Sequence, residues 1–155
     1  MAATTVQHEL VPMSDGRGRL RPGRVLRSGD RWLVALCLAV TAASHAPLIP
    51  EHLKEAPYIG VSFAALALAS VVLGLALVIH DSVAVWGAVA LLEALAVVAY
   101  VVSRTVGLPL LGDDIGSWAE PLSFPALVSE VIAAAMAVTV LRRARTAARR
   151  PAAAF

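Results

Sequence analysis

The chain reads as four apolar runs separated by short polar punctuation, and the lengths of those runs set the expected fold. Ile59 to Ile79 is a run of 21 residues without a charge, which as an α-helix covers ~31 Å and matches the hydrocarbon core of a bilayer. His80, Asp81 and Ser82 then interrupt, and Val83 to Val102 forms a third run broken only by Glu93. So short a connection predicts an antiparallel helical hairpin. His80 falls at the negative C-terminal end of one helix, and Asp81 or Ser82 is placed to cap the next. The first run, Trp32 to about His45, precedes this pair. The fourth, Pro125 to Leu141, follows a loop from Ser103 to Leu122 that is rich in Gly, Pro and Asp. Ser123 or a neighbour can cap that last helix, and Pro125 is tolerated in its first turn. The pattern predicts an all-α, polytopic membrane protein, a four-transmembrane-helix bundle.

Charge placement orients the bundle. Of the 155 residues 59% are hydrophobic and 15% charged, a balance that no soluble domain of this size can hide from water. The charges gather at the ends. Arg17, Arg19, Arg21, Arg24, Arg27 and Arg31 precede the first run, Arg142, Arg143, Arg145, Arg149 and Arg150 follow the last, and only Lys54 and Arg104 lie between. Basic residues flanking a span are held on the cytoplasmic side, where they meet anionic lipids. Both termini are therefore expected in the cytoplasm and the protein in the plasma membrane, with no role in nucleic-acid binding. Residues 1–30 read as a disordered basic tail, 31–141 as the membrane domain and 142–155 as a second basic tail. The arginine-rich leader and Ser44-His45-Ala46 imitate a signal-peptide cleavage site. The leader is unusually long, however, and Trp32 suits the interfacial anchor of a retained span, so retention is expected. Cys37 is the only cysteine, which excludes an internal disulfide and a thiolate zinc site.

A few polar residues stand where they cost most. Glu93 lies mid-span, where an ionised acidic side chain costs ~2.5 to 3.5 kcal/mol, so it must be protonated, paired or turned to a polar cavity. Trp86, Glu93 and Tyr100 recur every seven residues and share one stripe of a helix, expected to face inward. Glu130 lies within the fourth span. Arg104 is on the side disfavoured for arginine, which predicts a fixed partner among Glu120, Glu130, Asp113 and Asp114, with Glu130 or Glu120 foremost. Glu93, Glu130, Arg104 and Tyr100 form the candidate intramembrane polar site. Between Pro50 and Pro57 a short interfacial helix would carry His52 and Glu55 one turn apart, and with His45 these side chains make a candidate metal site. Gly60 and Ala64, Ser70 and Gly74, Ala84 and Ala88, and Ala133 and Ala137 have the small-xxx-small spacing of close helix contacts. Motifs of nucleotide binding, of serine and metal hydrolysis and of dithiol redox chemistry are absent from the sequence.

The segments from Glu51 to Phe63 (EHLKEAPYIGVSF), from Ser103 to Pro109 (SRTVGLP) and from Asp113 to Pro121 (DDIGSWAEP) resemble a group of uncharacterised four-helix membrane proteins of high-GC Gram-positive bacteria. The resemblance runs from about His45 to Glu130. It implies that the outer loops and the membrane carboxylates form one recurring constellation, and it brings no activity with it. The expected function is a non-enzymatic accessory or binding protein with an outward-facing polar site, alone, as a homo-oligomer or beside a membrane-complex partner. The alternatives are a small proton- or ion-coupled transporter using Glu93 and Glu130, and a redox protein in which His45 and His52 hold haem or the bundle holds a quinone.

Overall fold

The computed structural model describes residues 21–149. Its helices are α1 (Arg31–His45), α2 (Ile49–Glu55), α3 (Pro57–His80), α4 (Val83–Thr105) and α5 (Ser123–Arg149), with 3-10 turns at Ala46–Leu48 and Gly112–Asp114. Among the described residues there is no strand. Four helical stretches are long and apolar enough to cross a membrane: Arg31–Glu55, Pro57–His80, Val83–Thr105 and Ser123–Arg149.

The first span is longer than its apolar run because the chain stays helical through two prolines. Pro47 and Pro50 lack backbone N–H groups, and between them the helix tightens into a 3-10 turn in which the Ile49 N–H donates to Ala46 O. Pro50 stands in the first turn of α2, where its missing donor costs nothing. At Ala56 the backbone leaves helical geometry (φ −141°, ψ 83°), and its carbonyl accepts from Ile59 and Gly60 at the start of α3. Here α2 folds back onto α3, and Gly60 makes that possible. A Cβ at Gly60 would meet Leu53 Cγ and Leu53 N at 2.6 Å.

The hairpin between α3 and α4 turns on two residues with divided roles. Asp81 ends α3 in the left-handed region (φ 33°, ψ 50°), which an aspartate tolerates better than most side chains. Ser82 caps α4, its Oγ accepting from Val85 N at 3.4 Å. Asp81 is buried and serves another purpose: its carboxylate accepts from Trp86 Nε1 at 2.6 Å and from Ser28 N at 2.6 Å, with Arg31 Nη1 at 3.6 Å. The last part of the supposed tail is thereby tied down. Leu26 N donates to Asp81 O, Val83 N to Arg24 O and Ala84 N to Pro22 O. Residues 21–30, assigned by composition to a disordered tail, are instead held against the α3–α4 turn because a buried acceptor and free backbone groups meet them there. Residues 1–20 lie outside the described region. At the other terminus α5 continues past Leu141 through the arginine cluster to Arg149, since arginine is a good helix former and nothing breaks the pattern before Pro151.

Around the bundle α1 lies between α3 and α5, and α5 lies between α1 and α4; of the neighbouring pairs of spans, α3 and α4 meet least. The end bearing Arg31, Asp81 and Arg143 is called here the terminal end, and the end bearing α2 and residues 106–122 the loop end. Towards the terminal end the four helices close on a packed core that includes Val34, Leu38, Leu77, Trp86, Val89 and Ala137. Gly74 brings α3 onto Leu38 of α1, and Ala133 and Ala137 are fully buried. Ala64, Ala84 and Ala88 are exposed, so only some of the small-residue pairs mark helix contacts. Towards the loop end α3 and α4 diverge.

Candidate functional site

A cleft of about 820 Å³ fills the divergence. Its walls are apolar, from Ala65, Leu66 and Ala69 on α3 and from Leu92, Leu95 and Ala96 on α4; its far side carries His45 of α1 and Glu130 of α5. Ala65, Leu95 and Ala99 in this lining are exposed, so the cleft is open along its length. The physical cause is the sequence of these two faces. Their alanines and leucines leave between them a space that no side chain fills, and such a void has no contacts to hold it shut.

Residues 106–122 cross the mouth of the cleft and are fastened on both sides. On the α3 side Tyr58 donates its hydroxyl to Pro109 O at 2.6 Å, and on the α4 side Tyr100 donates to Trp118 O at 2.8 Å. Arg104 does most of the fastening. Its Nη2 lies 2.9 Å from Glu120 Oε2 and its Nη1 3.2 Å from Asp114 Oδ1, with Nη1 also donating to Asp114 O at 3.3 Å. The guanidinium stands 5.1 Å from the Tyr100 ring, and Arg104 O accepts from Gly116 N at 3.0 Å. The predicted pairing with Glu120 is present, Asp114 joins it, and Glu130 belongs elsewhere. Ser123 does not cap α5 with its side chain; it gives its hydrogen to Glu120 Oε2 at 2.9 Å.

Glu130 is 2% exposed and faces His45, with Oε1 3.7 Å from Nε2. His45 Nδ1 is 2.9 Å from Thr41 O, and His52 Nδ1 is 2.9 Å from Leu48 O. A carbonyl can only accept, so each Nδ1 carries the hydrogen. Both imidazoles pack on one ring, Phe63 of α3, each with its centroid 4.9 Å away. The three side chains expected to share a metal, His45, His52 and Glu55, are not brought together as a group. Each Nδ1 is used within its own helix and leaves Nε2 open, but Glu55 is exposed, and among the described residues no three His, Cys, Asp or Glu side chains gather around a common point.

Beneath the cleft a polar layer crosses the bundle. Glu93 is 0% exposed, and its Oε2 lies 3.4 Å from Thr41 Oγ1, which in turn is 3.0 Å from Ser129 Oγ. Ser129 spends its own hydrogen on Ala126 O at 2.8 Å. Thr41 Oγ1 donates to Glu93 Oε2 and also stands beside Ser129 Oγ, so a single hydroxyl serves two neighbours in the layer. Glu93 Oε1 and Ser70 Oγ are buried without a hydrogen-bond partner, which leaves the layer short of complete satisfaction. Trp86 and Glu93 face inward as the heptad stripe predicts, and Tyr100 is half-buried. Thr41, Ser70 and Ser129 escape a reading of charged residues alone. Their signal is that Thr41 precedes His45 by one helical turn and Ser129 adjoins Glu130, both on faces already marked as polar.

No family model, curated protein or solved structure matches the chain. Four membrane-spanning helices define it as a polytopic membrane protein.

Proposed function

We propose that the chain is a non-enzymatic binding protein of the plasma membrane, with both termini in the cytoplasm and the loop end outside, whose cleft takes a small amphiphile. One observation carries this reading: the cleft between α3 and α4 has apolar walls along two of the candidate spans and a polar mouth beneath residues 106–122. An apolar concavity with a few convergent polar groups is the usual form of a small-molecule site. An amphiphile would lay its apolar body along Leu66, Ala69, Leu92 and Ala96 and its head near Glu130 and His45. Filling the cleft tests it. Ala96→Trp should displace amphiphiles that copurify with the parent, as read by native mass spectrometry, while Ala88→Trp on an exposed face of the same helix should retain them. Equal retention by both variants, or no amphiphile on the parent protein, would end the binding reading.

A second reading is favoured by the polar layer. A buried carboxyl at Glu93, beneath a cleft that contains Glu130 and His45, suits a proton-coupled carrier. In proteoliposomes with an enclosed pH dye, such a carrier gives a flux that Glu93→Gln abolishes without changing the melting temperature. Absence of flux from the parent protein rejects it.

A further inference from the structure

The binding reading leaves the head group of the amphiphile open, and the hydrogen-bond inventory of the cleft narrows it. We propose that the cleft selects an amphiphile with a cationic, hydrogen-donating head, an ammonium on an apolar body. This inference rests on the proposed binding function and specifies its ligand class.

The lining has almost no hydrogens left to give. Tyr58 and Tyr100 donate to Pro109 O and Trp118 O, Ser62 and Ser103 to Tyr58 O and Tyr100 O, and Ser123 to Glu120. The terminal nitrogens of Arg104 are directed to Asp114 and Glu120, and both imidazole Nδ1 atoms to backbone carbonyls; the Arg104 Nε–H is the one donor of these groups left without a partner, and it sits on a guanidinium already claimed by two carboxylates. Ser44 alone among the lining hydroxyls gives its hydrogen to no described residue. What faces the space is therefore an array of acceptors. An anionic or carbonyl head would meet oxygen and nitrogen lone pairs, and it would be desolvated there without compensation.

Charge points the same way. The lining holds one guanidinium, already shared between two carboxylates, against the five carboxyl groups of Glu51, Glu55, Asp114, Glu120 and Glu130. Glu130 and His45 sharpen the case. With the His45 hydrogen fixed on Nδ1, its Nε2 is an acceptor when the ring is neutral, and it stands 3.7 Å from a second acceptor, Glu130 Oε1. Two buried acceptors facing each other need a hydrogen between them. An ammonium can supply it to both, because it carries several donors and a charge that the low-dielectric surroundings make effective. The apolar walls then hold the remainder of the molecule.

Full-length protein in phosphatidylcholine nanodiscs, dialysed against radiolabelled dodecylammonium with empty discs as the reference, tests the proposal. Dodecyltrimethylammonium, dodecanol and dodecanoate share the chain and differ only in head. Saturable binding of dodecylammonium is expected, about ten-fold tighter than the trimethyl compound, which has charge but no donor, and tighter still than dodecanoate. Glu130→Gln should weaken dodecylammonium by about ten-fold and dodecanol, which donates one hydrogen without a charge, by much less. Should that variant fail to fold, the exposed pair Glu51→Gln and Glu55→Gln should weaken the ammonium two- to three-fold on the order of a surface charge effect. Dodecanoate or dodecanol binding as tightly as dodecylammonium overturns the head-group assignment while sparing the binding function. Saturable binding of none of the four overturns both.

Discussion

Arg104 is buried beside two carboxylates that differ in exposure, and this difference sets how much each should matter. Glu120 keeps 45% of its side-chain surface in solvent and Asp114 28%, against 6% for Arg104. Breaking a fully buried pair costs ~3 to 5 kcal/mol, and a half-solvated partner recovers part of that from water. Arg104→Ala should therefore destabilise by about 2 kcal/mol or more, chiefly through the carboxylates and loop carbonyl it leaves behind. In double-variant cycles of thermal or denaturant unfolding, Arg104 should couple to Glu120 and to Asp114 by roughly 0.5 to 1 kcal/mol and should add independently with Glu130. Coupling to Glu130 alone would contradict the geometry. The sequence makes a partner for Arg104 compulsory, because arginine there opposes the usual charge rule. It does not say which, since the choice depends on how residues 106–122 fold back. Gly60 is the converse. Its small size is legible as helix packing, but its partner Leu53 lies across a turn at Ala56 that no periodicity announces. Gly60→Ala should cost about 1 to 3 kcal/mol by pushing α2 off α3, measurable as a lowered melting temperature.

Among the elements, the α3–α4 turn shows most clearly what pattern can and cannot give. The interruption at His80 to Ser82 defines the hairpin, and Ser82 caps α4 as its type suggests. Asp81 looks from sequence like an alternative cap, yet it binds Trp86, Ser28 and Arg31 together. That role is illegible because its partners come from three segments, one of them in a stretch whose composition signals disorder. Asp81→Ala should release residues 21–30 from the turn and speed tryptic cleavage after Arg24 and Arg27 several-fold, with a shifted Trp86 emission. Asp81→Asn keeps one acceptor and should show a smaller change. Unaltered cleavage in Asp81→Ala would mean that the backbone bonds alone hold the segment. The grouping of His45, His52 and Glu55 expected from spacing is likewise not assembled by the helices. Sequence spacing places His52 and Glu55 one turn apart with His45 on the preceding helix, but only the packed helices reveal Phe63 between the imidazoles.

Across the whole molecule the helical fold and its four spans are legible, because apolar run length is a property of the sequence alone. The cleft is not, because a void between α3 and α4 depends on which faces fail to meet. The orientation rests on the arginine clusters, and labelling checks it. A cysteine at Asp114 should react with an impermeant maleimide on intact cells, whereas tags at Met1 and Phe155 should stay protected; the reverse pattern would invert the protein. Glu93→Gln preserves shape while removing the ionisable group, so its melting temperature should stay within a few degrees of the parent, and Glu93→Leu should fall further because Thr41 then loses its neighbour.

With its core packed at the terminal end and a cleft opening between α3 and α4 at the loop end, the bundle is expected to widen towards the loop end. A tapered inclusion takes more area from one leaflet than from the other, and it is least strained where the membrane bends to match. With its loop end on the convex side, the protein should gather on tightly curved vesicles in preference to flat bilayer. Filling the cleft would stiffen that taper and emptying it would let lateral pressure narrow it. Curvature and occupancy would then be linked, each shifting the other by the same free energy.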